Sequence, residues 1–518
     1  MRINLTKVAA CSIVFLALFF SPRIFAQKAL TTGTDIVAAI NSDTTSSGTR
    51  NNTSYTLARG GVYFALGQIQ NDFELTITAT GDESLADPIL IILVDASNNY
   101  STPFKPYSNL TLEGIAINGV NSIGSKVSYI IEAGTTDIRI SLKNCDIDSV
   151  NTAAVRVNQN YCSVYLEDCT IQNVANGGHT GRVIDARSTI MDTISIVNCT
   201  FYNVMHNVLG RFSGGQEYFK FDHNTVYNLM RCPLRIDVCP DVVVTNNLFL
   251  QTGFVGYTQY WETEFQAANA NAMGSRDEFT RIELWPLDSL AAFKGMTQNI
   301  DFTNNNLWVD PTIEAQFPDT IYAYRNLDFE FEKAMVGADT LTWISEDVSF
   351  TNAPACDYIT MAQECWKDGS PQTNPGFNNS GIPYDFSYST SSASYTAATG
   401  GFPLGDLNWF PSKKAEWLVT DVKENETNNI PSSFSLEQNY PNPFNPTTVI
   451  NYSIPKNSNV VLKVYNILGK EIATLVNGQQ SAGSHNVSFN ASNLASGVYF
   501  YSIQSDGFSS TKKMMLLK

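Results

Sequence analysis

The sequence predicts an all-β chain in which a long coil of short parallel strands is followed by a small β-sandwich. Three observations predict it. First, a strand-starting unit recurs in which a small or polar anchor is followed two residues later by an apolar residue. The units are Cys145-Asp146-Ile147, Cys169-Thr170-Ile171, Cys199-Thr200-Phe201, Asn224-Thr225-Val226, Asn247-Leu248-Phe249 and Asn305-Asn306-Leu307. Second, the strand-like runs are rich in β-branched and aromatic residues, and few windows carry helical periodicity. Third, the pattern after residue 433 changes to alternating strands punctuated by turns, as in a small sandwich.

The elements follow in order. Arg2 and Lys7, the apolar run Val8 to Phe20, and Ala26 read as a basic region, core and cleavage position of a secretory leader over residues 1–26. That run is too short to span a bilayer, and no later one is longer, so no transmembrane segment is expected in the mature chain. Thr34 to Ile40 is a short amphipathic segment with a helix-start signal, suited to covering the open end of a coil. Strands are expected at Tyr55–Ala58, Gly61–Tyr63, Leu75–Thr78, Ile89–Val94 and Leu110–Ile117, then in the anchored turns over roughly 130–310.

Anchor spacings of 24, 30, 25, 23 and 58 residues point to loops of variable length on a constant frame. Asn246-Asn247 and Asn304-Asn305-Asn306 suit internal polar stacks at the bends. The coil domain is assigned to 27–415, a polar linker without periodicity to 416–432, and the sandwich to 433–518.

Composition narrows the function. A net charge of −17 with four histidines excludes nucleic-acid binding through a general basic field. Cys145, Cys169 and Cys199 at anchor positions read as a buried thiol column. Cys232 with Cys239, and Cys356 with Cys365, are close enough in sequence for local disulfides. No histidine lies near these cysteines at zinc-site spacing. A monomer is expected.

Counting back 12 or 13 residues from successive anchors reaches Arg156, Arg187, Arg211 and Arg235. Stacked turns would set these in a column about 4.7–4.9 Å apart. Like charges at that spacing repel unless something anionic lies against them, which points to an extended polyanion. Two readings stay open: an anion-binding groove, or an ion-pair ladder with Glu132, Asp185, Asp237 and Glu283. Asp185 and Asp237, each two residues from a column arginine, are the candidate calcium ligands. The 58-residue gap carries Phe254, Tyr257, Tyr260, Trp261, Phe265 and Trp285, with Trp261 a candidate sugar-stacking residue. Arg281-Ile282-Glu283-Leu284 there echoes Arg235-Ile236-Asp237-Val238, which adds Arg281 to the binding set.

Lys220-Phe221-Asp222-His223-Asn224, leading to Arg231-Cys232-Pro233-Leu234-Arg235, resembles the pectate lyase pattern, a His-Asn strand ending before an Arg-x-Pro-x-x-Arg motif. The motif here is one residue shorter. The resemblance implies a right-handed parallel β-helix, β-elimination on an acidic, uronate-containing polysaccharide, and calcium. It gives Arg231 the role of proton-abstracting residue and Arg235 that of substrate binder. Elimination needs the uronate carboxylate neutralised and the adjacent proton removed. Arginine pairs with a carboxylate through a planar fork, while Lys220, Tyr227 and His206 are chemically easier bases. Lys220 also belongs to the candidate binding set. Glycoside hydrolysis is a further alternative: it needs paired carboxylates, and although the sequence shows no adjacent Asp-Asp pair, the scattered acids Asp168, Asp185 and Asp222 leave it open. A non-catalytic polysaccharide-binding or adhesion protein would need the same basic groove without a base.

Asn439-Tyr440-Pro441-Asn442-Pro443-Phe444-Asn445-Pro446, Leu468-Gly469-Lys470, Leu494 to Tyr501 and Lys512-Lys513-Met514 resemble the C-terminal sorting domain of the type IX secretion system. That resemblance implies engagement of this machinery and release or attachment outside the outer membrane.

Overall fold

The computed structural model describes residues 27–46, 48–95, 102–175, 181–187, 189–212, 214–230, 232–252, 282–285, 287–314, 341–355, 384–427, 435–436, 439, 442, 444–454, 458–467, 469–480, 483–505 and 508–517. The expected leader lies outside them. The chain divides into two compact units at Lys413/Lys414.

The first unit is a parallel β-solenoid of three ladders. One runs through Lys28–Leu30, Ser54–Ala58, Leu75–Thr80, Leu110–Glu113, Arg139–Lys143, Ser163–Glu167, Ile190–Val197, Gly215–Asp222, Asp241–Thr245 and Asn299–Trp308. The second runs through Val62–Leu66, Ile89–Leu93, Ala116–Asn118, Asp146–Asp148, Thr170–Val174, Thr200–Val204, Thr225–Leu229 and Leu248–Thr252 to the end of Asn299–Trp308. The third comprises Tyr129–Glu132, Ala153–Val157, Arg182–Arg187, Asn207–Phe212, Leu234–Val238 and Ile282–Trp285.

The anchor motif sets the second ladder's register. Ile117, Ile147, Ile171, Phe201, Val226, Phe249 and Leu307 pair in one row and are buried. Phe221 stacks between Phe201 and Phe249, with centroids 6.2 and 5.7 Å away. The chain turns into this ladder through left-handed residues: Asn144, Asp168, Asn198, His223, Asn246 and Asn304 have φ between 49° and 62°. Short polar side chains tolerate that conformation and bond locally, which is why polar residues precede the anchors. A second left-handed row, Ser149, Asn173, Asn203, Asn228 and Gln251, bends the chain out again.

The solenoid begins well before the anchored turns, at Lys28. The entry helix Ile36–Asn41 is capped by Asp35, whose carboxylate accepts from the Val37 N–H at 3.0 Å, and it buries Ile36, Val37 and Ile40 against the core. The expected strand Leu110–Ile117 is two strands, broken at Gly114, whose φ of +68° turns the corner. The cysteine column is present, with Cys145, Cys169 and Cys199 buried.

Two sequence expectations need correction. Cys232 and Cys239 are not joined: both are buried thiols, donating to the carbonyls of Leu234 (3.2 Å) and Asp241 (3.1 Å). Cys356 and Cys365 lie outside the described residues. The segment expected as a linker over 416–432 is largely helix, Pro411–Thr427.

The second unit has two antiparallel sheets. Ser435–Leu436, Thr447–Ile454 and Gly483–Asn490 form one; Glu471–Gln480, Ser458–Asn466, Gly497–Ser505 and Phe508–Leu516 form the other. Ile450, Tyr452, Leu462, Val464, Tyr501 and Met514 share its core. The Asn439 N–H donates to the Tyr501 hydroxyl at 2.7 Å, and Asn442 Oδ1 accepts from the Met515 N–H at 2.8 Å.

Candidate functional site

The third ladder carries the arginines, but not in one column. Its register aligns Arg156, Asp185, Gly210, Arg235 and Glu283, while Arg211 pairs with Ala186 and Arg187 with Phe212. The distance from each strand to its anchor changes with the intervening loop, so a fixed count back does not preserve register. Ile282 likewise pairs with Leu234, so the echo of residues 235–238 is displaced.

What forms instead is a cluster on Asp185, a fully buried carboxylate. Arg156 Nη1 pairs with Oδ2; Arg187 Nε reaches Oδ1 at 3.1 Å, and Arg182 Nη1 lies 3.8 Å from it. Gly210 makes room: a Cβ there would meet Arg182 Cδ at 2.5 Å. Three guanidinium groups surround this carboxylate, and Glu132 is the in-register neighbour of Arg156 on the other side. The Arg187 side chain is 39% exposed and that of Arg156 17%. Arg156 also lies over the Tyr129 ring at 5.5 Å, and its buried Nε has no hydrogen-bond partner. One turn-pair further on, Arg235 Nε faces Asp237 Oδ1 at 3.4 Å, and Asp237 Oδ2 accepts from the Gly214 N–H at 3.3 Å.

This arrangement redistributes the sequence candidates. Asp185 and Asp237, the candidate calcium ligands, sit on strands two turns apart and each faces arginine. Among the described residues no group of three or more acidic, histidine or cysteine side chains is placed to hold a metal. Lys220 is on the first ladder, paired with Ser195 and Val243, and ion-pairs with Asp222 at 3.4 Å, so it lies on a different ladder from the arginines. Arg211 is in strand Asn207–Phe212, with its side chain outside the description. Arg231, Trp261 and Arg281 lie outside the described residues, as do Phe254, Tyr257, Tyr260 and Phe265.

His206 is buried against Asn207, and Tyr227 packs edge-on to Phe350 and Phe386. His223, at a left-handed corner, is buried with Nδ1 3.1 Å from Asp222. Burial pushes the Asp222 carboxyl up, but His223, Lys220 and the Asn246 hydrogen bond overcome it and hold it well below the usual range.

The outer face of the second ladder is divided. Its later turns are covered by residues 384–410. Asp406 Oδ2 accepts from Thr200 Oγ1 at 2.7 Å, the Asp406 N–H donates to Thr225 Oγ1 at 3.0 Å, and Trp409 Nε1 donates to Thr200 at 2.7 Å. Tyr202, Tyr384, Phe386, Phe350 and Trp409 form a continuous aromatic cluster there.

The two turns before this cover carry a polar group that the sequence reading missed. Asp146 and Asp148 occupy alternate positions of one strand and both flank the inward Ile147. Gln172 Nε2 donates to Asp146 Oδ1 at 3.2 Å, and the Tyr202 hydroxyl donates to Gln172 Oε1. Asp148 Oδ1 accepts from Ser149 Oγ at 2.8 Å and Asn173 Nδ2 at 2.6 Å. Lys126 Nζ donates to the carbonyls of Asn173 and Ala175, both at 3.4 Å; burial pushes its ammonium down, and the charge of Asp148 opposes that shift. Burial, reinforced by Asp148 and Asp87 against the Gln172 hydrogen bond, raises the Asp146 carboxyl to about 6. The available signal was alternation: residues on either side of an inward isoleucine share the opposite face.

Fold and C-terminal unit together define an exported β-solenoid. Residues 438–517 match the family model for the secretion system C-terminal sorting domain. This second unit is therefore a type IX secretion sorting domain, and the protein is exported across the outer membrane to the cell surface or beyond. No curated protein and no solved structure matches the chain. No helix among the described residues is long and apolar enough to cross a membrane.

Proposed function

We propose that this exported solenoid binds an acidic, uronate-containing polysaccharide along its third ladder. The observation that supports this is the cluster of three guanidinium groups on the single buried carboxylate of Asp185, in a chain of net charge −17. A buried carboxylate holds the arginines in place, and Arg187 is the most exposed of the three. Guanidinium groups fixed in this way recognise carboxylates along a polymer through paired hydrogen bonds. Arg235 extends the strip. In the lyase form of the reading, Arg231 abstracts the proton and Arg235 holds the uronate carboxylate.

The test is retention of the secreted chain on polygalacturonate, alginate and a glycosaminoglycan, with and without calcium, beside an uncharged polymer. Binding that weakens with salt and falls in Arg187→Ala and Arg235→Ala is expected. Equal retention on the uncharged polymer would overturn the reading. Ultraviolet absorbance of an unsaturated uronate product, lost in Arg231→Ala, would make the protein a lyase. Binding without such product would make it a surface-attachment protein.

A further inference from the structure

The corner between the third and first ladders carries a feature that the arginine cluster does not use. We propose that Tyr107 and Tyr161 form a sugar-stacking platform, and that the polysaccharide runs along the solenoid axis with its rings on these two phenols and its carboxylates toward the third ladder. The inference deepens the reading above and rests on it for the charge of the polymer.

The two residues stand apart by exposure and by position. Among the described residues they are the two most exposed aromatic side chains, at 41% and 52%. They also share one place in the repeat. First-ladder pairing sets Leu110 beside Ile140 and Ile140 beside Val164, and three residues before each lie Tyr107, Asp137 and Tyr161. Backbone bonds join these corners from turn to turn: the Gly134 N–H donates to the Pro106 carbonyl at 2.8 Å, and the Asp137 N–H to the Asn160 carbonyl at 3.1 Å. Two turns separate the tyrosines, a spacing of about 9.4–9.8 Å, which is close to the length of two sugar rings in an extended chain.

Local geometry presents both rings. A Cβ at Gly134 would meet Tyr107 Cε2 at 2.9 Å and Cδ2 at 3.0 Å, so the Tyr107 ring lies over a residue that has no side chain to lift it. Tyr161 sits in left-handed backbone at φ 58°, whereas the other non-glycine residues in that region are Asn, Asp, Ser, Gln and His. A bulky side chain is disfavoured there, and strain of this kind gathers at sites that use it.

The charges beside the platform suit an acidic polymer. Lys105, two residues before Tyr107, and Arg156, five before Tyr161, lie in one row of the third ladder on either side of Glu132. Across the corner, Arg139 pairs in register with Ser163. The ion pairs Lys105–Glu132 at 3.8 Å and Arg139–Glu74 at 3.9 Å are long and partly exposed, so a polymer carboxylate can compete for either cation. The rings supply the uncharged part of the surface: an aromatic face packs against the C–H face of a sugar while the phenol keeps its hydroxyl in water.

The experiment titrates the secreted chain with polygalacturonate, alginate, a glycosaminoglycan and an uncharged glucan, at low and high salt. Tyr107→Ala and Tyr161→Ala should each weaken binding of the acidic polymer about 3- to 10-fold, by the same factor at both salt levels. The loss in Arg187→Ala should instead shrink as salt rises. Tyr107→Phe and Tyr161→Phe should bind as the parent chain does. Tyr161→Asn, which suits left-handed backbone, should lose binding without lowering the melting temperature, an outcome that a structural tyrosine would not give. Tyrosine variants that bind normally while Arg187→Ala weakens would overturn this inference alone, as would equal losses in the Phe and Ala variants. Binding only to the uncharged glucan, lost in the tyrosine variants, would keep the platform and overturn the acidic polymer. No binding to any polymer would overturn both.

Discussion

The two halves of the solenoid solve one corner in two ways. In the turns at Cys145, Cys169 and Cys199 the anchor is a thiol, bonded to the carbonyls of Lys143, Glu167 and Val197 within its own turn. In the turns at Asn224, Asn247 and Asn305 it is an amide that reaches its neighbours. Asn247 Oδ1 accepts from the Asn224 N–H at 2.8 Å, Asn305 Oδ1 accepts from the Asn247 N–H at 3.1 Å, and Asn247 Nδ2 donates to the Phe221 carbonyl at 2.9 Å. The thiols also reach across turns, Cys145 Sγ to the Leu112 carbonyl at 3.4 Å and the Cys169 N–H to Cys199 Sγ at 3.3 Å, but sulfur is a weak donor and acceptor, so the amide turns are the more strongly coupled along the axis. The outer surface changes along the same axis. The second ladder is covered by the 384–410 segment beside the later turns, whereas Asp146 and Asp148 lie in a thiol turn.

That difference can be broken most strongly at Asn247. Asn247→Ala leaves the Asn224 N–H and the Phe221 carbonyl buried without partners, and should cost about 3 kcal/mol in chemical denaturation. A cost below about 1 kcal/mol would mean that the ladder is no more than packing. Next comes Asp406→Ala, which removes the acceptor for Thr200 and the cap on the Asn408 N–H, with an expected loss of about 2 kcal/mol. Hydrogen exchange should locate that loss in the later turns and leave the turns at Cys145 and Cys169 protected; uniform loss would refute the division.

Asp146→Asn should have the opposite sign. The folded carboxyl titrates at about 6, above the unfolded value, so the native state holds a proton that the unfolded chain has released. The resulting penalty is complete above about pH 6 and absent below about pH 4. The substitution is thus expected to stabilise by roughly 1–2 kcal/mol at pH 8 and by nothing at pH 4, as read from paired melting curves. Stabilisation that is independent of pH would mean that the charge is not the cause. The smallest effect belongs to Cys169→Ala, at about 1 kcal/mol for a lost thiol in a packed column. Burial pushes the Cys169 thiol well up, so it should also resist alkylation until the protein unfolds.

The second-ladder register was readable because one residue type repeats at one structural position. An apolar residue two places after each anchor must point inward, and Ile147, Ile171, Phe201 and Phe249 do. The arginines offered no such constraint. A guanidinium tolerates several positions around a turn, and loops of unequal length separate each arginine from its anchor. Arg156 therefore pairs with Asp185 rather than standing over another arginine. The Asp146–Asp148 pair was hidden because only burial and cross-turn partners distinguish it from ordinary surface alternation.

The sequence by itself determined the parallel coil, the asparagine stacks at its bends, the buried thiol column and the sorting domain. Each of these rests on local geometry or on a motif read within a short stretch of chain. Only the tertiary structure decided which charges meet, that Gly405 to Trp409 lies against Thr200 and Thr225, and that Asp146 is desolvated beside Asp148. Those outcomes depend on which turns become neighbours. The electrostatics of a buried group are set by atoms distant along the chain, which no spacing rule records.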